Sequence, residues 1–140
     1  IFVMVADHGH ASPAVTDPNL GAYFHVPLLI FGEPLKKEYR GETIETLGSQ
    51  ADIVRTLLYQ MGGDYKRYTW SKDLLNPNCP QFALHTINRG FGWITDKGNF
   101  SYHMDGKNYP DQTFSKKALK QEEKRCHSFM SLIYKEYKNL

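Results

Sequence analysis

Five apolar residues open the chain, Ile1-Phe2-Val3-Met4-Val5, with no polar position between them. An unbroken run of β-branched or long side chains predicts a strand buried on both faces, as inside a parallel sheet. A second apolar run covers residues 24–31, centred on Val26-Pro27-Leu28-Leu29-Ile30. It predicts another strand. Pro27 carries no amide donor, so this strand lies at an edge, is bulged there, or begins after it. Between the two runs, residues 11–22 hold Ser, Pro, Thr, Asp, Asn and Gly without periodicity and predict an exposed loop. Gly32-Glu33-Pro34 ends the second strand, and a charged loop runs on through Gly41.

Further along, the apolar period changes from two to that of a helix. Ile53, Leu57, Leu58 and Met61 form one stripe, so residues 49–61 predict a helix. Ser49 is placed to cap it, Asp52 suits the positive end of its dipole, and Gly62-Gly63 stops it. Residues 81–94 hold at least one more strand, with Gly90 and Gly92 marking a turn or a close approach. Residues 99–104, after Lys97-Gly98, are expected to pair as a hairpin with Trp93-Ile94-Thr95. A long amphipathic helix is predicted over residues 115–137, with Leu119, Cys126, Phe129, Met130, Ile133 and Tyr137 on its apolar stripe. The Lys/Glu run from Lys116 to Arg125 should be its solvated face. Tyr65, Tyr68 and Trp70 are expected to pack as core beneath a loop.

Composition narrows the class. With 140 residues, 41% of them hydrophobic and 23% charged, the chain is globular, of single-domain size, and able to bury a core without disulfides. A net charge of +2 gives no footprint for nucleic acid, and none is expected as a partner. Cys79 and Cys126 lie far apart without ligand-type spacing; they either pair in an oxidising compartment or are buried thiols. No apolar run approaches the roughly 20 residues that span a bilayer. A central strand at residue 1 has no crossover before it, so the chain is expected to have been cut from something longer.

The sharpest chemistry is Asp7-His8-Gly9-His10, directly after the first strand. Ligands of open α/β sheets bind beyond the carboxyl ends of strands. Consecutive side chains of a strand point apart, but at a strand-to-loop transition Gly9 permits a turn that brings carboxylate and imidazole together. One oxygen and one nitrogen donor suit Zn²⁺ or Mn²⁺ better than Ca²⁺. His10 is placed to orient a ligand or touch substrate. The same residues also fit a polar turn capped by Asp7, with both histidines at the surface.

Three blocks in order reach further. They are Asp7-His8-Gly9-His10; then His25-Val26-Pro27-Leu28-Leu29-Ile30-Phe31-Gly32; then Ser49-Gln50-Ala51-Asp52-Ile53-Val54 with Thr56-Leu57-Leu58 and Gly62-Gly63. In these blocks the chain resembles the sulfatase and lipoteichoic-acid-synthase-like branch of the alkaline phosphatase superfamily. It departs from that pattern at Arg55, where the family commonly has Pro. The resemblance covers roughly the first 75 residues well and the remainder loosely.

The resemblance implies an α/β fold: the C-terminal part of an alkaline-phosphatase-like three-layer sandwich, with a terminal β-hairpin and a long C-terminal helix. Residues 1–140 would be a single C-terminal portion of a sulfatase-type catalytic domain, with 1–75 as the core and 76–140 as hairpin and helix. Asp7 and His8 would bind one divalent metal ion, Mn²⁺ foremost, with Zn²⁺, Mg²⁺ or Ca²⁺ as alternatives. His10 and His25 would stand behind the metal or against the substrate's anionic group. A Thr, Ser or formylglycine nucleophile would lie upstream, so no catalytic nucleophile is expected here and the piece alone should be inactive. Cys79-Pro80-Gln81 lacks the Arg and the Pro spacing of the sulfatase signature, and Thr16, Thr43 and Thr46 lack the helix such a nucleophile needs. Arg89 either meets an anion or is a solvated loop residue, and His85, His103 and His127 are expected to be structural or exposed.

The activity implied is hydrolysis of a sulfuric ester, or transfer of a phosphoglycerol or phosphoethanolamine group. Its partners would be a sulfate-ester or phospholipid-derived substrate and the rest of the catalytic domain. The resemblance further implies a catalytic domain outside the cytoplasmic membrane of the cell. Two alternatives stay open: another phosphodiesterase or phosphomutase of the superfamily, and a non-catalytic binding domain that keeps the fold.

Overall fold

The structure, a computed structural model, describes residues 1–10 and 17–139. It is mixed α/β, built on a four-stranded antiparallel sheet and a long C-terminal helix. Of the predicted loop at residues 11–22, residues 11–16 lie outside the described residues.

Strand β1 (Phe2–Val5) pairs antiparallel with β2 (Leu28–Phe31), Phe2 opposite Phe31 and Val5 opposite Leu28. The strand therefore exists where expected, and β2 begins after Pro27, as that residue's missing donor requires. The expected burial is corrected. Among the described residues β1 has β2 as its sole partner, and the ribbon leaves Phe2, Met4, Leu29 and Phe31 exposed on one face. Residues 24–27 are not strand; Gly21–Phe24 form a 3-10 turn instead.

Helix α1 (Asp52–Gln60) takes its first turn from a different use of Ser49 than capping. The Asp52 carboxylate accepts from the Ser49 amide at 2.8 Å, one half of a capping box. The Ser49 hydroxyl turns away, donating to the Leu84 carbonyl at 3.0 Å and accepting from the Leu84 amide at 3.2 Å. Behind α1, Lys72 and Asp52 form a buried pair at 3.6 Å. The Lys72 ammonium also donates to the carbonyls of Leu47, Pro80 and Phe82, so its charge is well supplied with acceptors. Burial nevertheless holds its pKa below the ordinary lysine value, against the opposing pull of Asp52.

The sheet is a meander: β3 (Phe82–Ile87), β4 (Gly90–Thr95), β5 (Gly98–His103) and β6 (Asn108–Gln112), each antiparallel to the next. The β4–β5 hairpin has the expected pairing, Trp93 opposite Phe100 and Thr95 opposite Gly98. Helix α2 (Lys116–Tyr137) is capped by Ser115, whose hydroxyl accepts from the Ala118 amide at 3.3 Å. It lays Leu119, Cys126, Phe129 and Met130 on Phe91, Trp93 and Phe100, which form the core. Tyr137, placed on that stripe by its spacing, is exposed and is not among the residues packed on the core. The Lys/Glu run is not wholly solvated either: Glu122 is buried and accepts from the Trp93 indole at 3.0 Å, with Arg125 beside it at 2.8 Å. Tyr65, Tyr68 and Trp70 are half-buried rather than core, Tyr68 edge-on to Trp70 and Tyr65 edge-on to Tyr59.

Candidate metal centre

Asp7 and His8 leave the C-terminal end of β1 and stay at the surface, the Asp7 side chain 88% and the His8 side chain 70% exposed. The turn is built by short-range bonds. The His8 amide donates to Asp7 Oδ1 at 3.0 Å, and His8 Nδ1 lies 2.7 Å from the Gly9 carbonyl. That second contact selects the tautomer in which Nδ1 carries the proton, which leaves the Nε2 lone pair free. Nε2 and Asp7 Oδ1 are 3.6 Å apart. Two donors each about 2.1 Å from a tetrahedral ion lie about 3.4 Å apart, so the pair fits two corners of a Zn²⁺-like site. The backbone behind them is fastened by Gln50, whose side-chain amide donates to the carbonyls of Ala6 and Asp7.

Gly9 is buried, and a side chain at this position would run into the carbonyl oxygen of Tyr23. The loop therefore needs glycine for close approach as much as for its turn. Tyr23 meets Phe24 edge-on at 5.3 Å, and Phe24 stacks on His85 of β3 at 4.2 Å. Asp111 of β6 accepts from the Gly21 amide at 2.8 Å and from the Asn99 amide group at 2.5 Å. Together these contacts press the segment after the motif onto the face of the sheet away from α2.

His10 and His25 are exposed and make no side-chain hydrogen bond among the described residues, so the structure does not bring them to the Asp7–His8 pair. Among the described residues no group of three or more His, Cys, Asp or Glu side chains is spaced to hold a metal ion. Catalytic zinc takes about three protein ligands, a number these two side chains do not reach by themselves. Arg89 is a loop residue at φ 56°, paired with Asp105 at 2.7 Å. His103 approaches Asn19 at 3.2 Å, and His127 is exposed beside Phe91. Both cysteines are free and buried. Burial pushes the Cys79 thiol up, and burial with Glu122 nearby pushes that of Cys126 up to about 12. Neither presents a thiolate at neutral pH.

The bracing by Gln50, Tyr23, Phe24 and His85 is the part sequence reasoning missed. Gly92 carried its one signal, since it marks the close approach that seats His85. No family model, curated protein or solved structure matches this chain. No helix among the described residues is long and apolar enough to cross a membrane.

Proposed function

We propose that this chain is the C-terminal portion of a metal-dependent sulfuric-ester hydrolase, or of a phosphoglycerol or phosphoethanolamine transferase, in which Asp7 and His8 supply two ligands to one divalent ion. What supports the reading is the pair's geometry: a free imidazole Nε2 stands 3.6 Å from Asp7 Oδ1, an oxygen that accepts one bond from the His8 amide, on a turn held by Gln50 and Gly9. The ion would lower the pKa of a nucleophile supplied from outside this chain and neutralise charge growing on the transferred group. The rest of an alkaline-phosphatase-like sandwich would supply that nucleophile and the remaining ligands. The exposed face of the β1–β2 ribbon is apolar surface such a remainder would cover. Mn²⁺ is the first ion to try, and the substrate would be a sulfate ester or derive from a phospholipid outside the cytoplasmic membrane.

The test is turnover of an aryl sulfate and an aryl phosphodiester, with added Mn²⁺, by the longest polypeptide that carries this chain. Asp7→Ala and His8→Ala are each expected to lower metal-dependent turnover by roughly two orders of magnitude or more. The substrate preferred decides between sulfatase and transferase chemistry. Absence of metal binding and of turnover on both substrates would give the lead to a binding domain without chemistry.

A further inference from the structure

His85 is a half-buried imidazole with no hydrogen-bond partner on either ring nitrogen among the described residues. Its position is nonetheless closely defined. On β3 it stands opposite Gly92, and a methyl group at Gly92 would collide with the imidazole ring. The ring thus lies over the bare backbone of β4, with Phe24 stacked on its other side at 4.2 Å and 24°. The register continues the row from Gly92 to Ser101 and from Ser101 to Asp111, and the Ser101 hydroxyl is also buried without a partner. A β-bulge between β5 and β6 gives β6 its extra residue just beyond this row, between the Ser101 and His103 pairings.

A buried polar group without a partner is costly, and it persists where something depends on it. Here Phe24 stacks on it, Tyr23 meets Phe24 edge-on, and Gly9 lies against the Tyr23 carbonyl. We propose that His85 is a protonation-dependent positioning residue for the Asp7–His8 turn: neutral, it seats Phe24 and closes Tyr23 onto Gly9, and protonated it releases them. The proposal rests on the metal-site reading for its functional meaning and on these contacts for its geometry.

Charge supports the device. Burial lowers the His85 pKa from 6.5 to about 4, against a smaller opposing pull from Asp111. Asp111 Oδ2 already accepts from the Gly21 amide and the Asn99 side chain, and Asp111 makes no hydrogen bond to either His85 ring nitrogen. Of the other packed elements, β4 carries no charge, β5 carries His103, and the 3-10 turn carries Tyr23 with His25 after it. The sign follows: the unfolded or released chain holds the proton more tightly than the seated one. Seating is therefore fully favoured above pH 6.5 and is lost as pH falls toward about 4.

Amide hydrogen exchange on the 140-residue chain, corrected for intrinsic rates and read between pH 7 and 4, tests this. Protection at Gly9, Tyr23 and Phe24 is expected to fall by roughly tenfold or more across that range in the wild type. His85→Phe, which keeps the stack but does not ionise, should hold that protection. His85→Gln serves the same purpose if the Phe variant does not fold. Asp111→Asn removes the carboxylate that holds the Gly21 amide and should leave the His85-dependent step in place. Equal acid losses in the wild type and the His85 variants would overturn the proposal, as would full protection at a pH where the His85 ring signal has titrated. A parallel Mn²⁺ titration of the longest polypeptide, with and without Asp7→Ala, separates the two ideas. Absence of Asp7-dependent binding removes the metal reading and leaves the exchange result to stand or fall by itself.

Discussion

Gly9 has no room for a methyl group, because the Tyr23 carbonyl occupies the place a side chain would take. Gly9→Ala must therefore move either the Asp7–His8 turn or the Gly21–Phe24 segment. A core-like overpacking of this kind costs about 1–3 kcal/mol, and chemical denaturation should show a loss of that size. Gly62→Ala is the informative control, since Gly62 sits in open space and its strain comes only from φ 70°. A Gly9→Ala protein as stable as the wild type would mean the two segments are not in contact. At this scale the sequence was readable for Asp7, His8 and Gly9, whose types and order announce a turn with donors. It was silent on Gln50 and Phe24, because an amide or a phenyl ring looks the same whether it braces a loop or faces water.

At the scale of elements, what could be read locally was read well. Both helices carry their period in four or more apolar positions, and α2 carries its cap in Ser115. Ser115→Ala removes the hydroxyl that accepts from the Ala118 amide, and a cap of this kind is worth about 1 kcal/mol. Thermal unfolding should shift down accordingly, and Ser115→Asp should restore it. An unchanged midpoint in Ser115→Ala would show that α2 is held by its packed stripe alone. The β4–β5 hairpin was legible from Lys97-Gly98 between two apolar stretches. Strand β6 was not, because Pro110 and the bulge break the alternation in Asn108-Tyr109-Pro110-Asp111-Gln112. Glu122 was misjudged for a related reason: it belongs to a charged run, and only the position of the Trp93 indole makes it a buried acceptor.

For the whole molecule, the sharpest difference from expectation is the ribbon. The apolar run of β1 predicted burial on both faces, and a sequence does not say which surface does the burying. Cross-strand register puts Phe2 against Phe31, stacked at 5.2 Å, and Met4 against Leu29, with all four on the exposed face. Among the described residues each strand also has one edge without a partner, and such edges pair with other chains. This combination predicts that the 140-residue chain self-associates as concentration rises. Sedimentation velocity should show the weight-average coefficient climbing with loading. Met4→Glu with Leu29→Lys places an opposite-charge pair on the face, across the ladder, and should return the chain to monomer while leaving the meander and α2 intact by circular dichroism. If instead the wild type stays monomeric at all concentrations, the ribbon face is not adhesive by itself. Its apolar residues would then argue less for a covering remainder, and the metal-site proposal would have to stand on Asp7 and His8 alone.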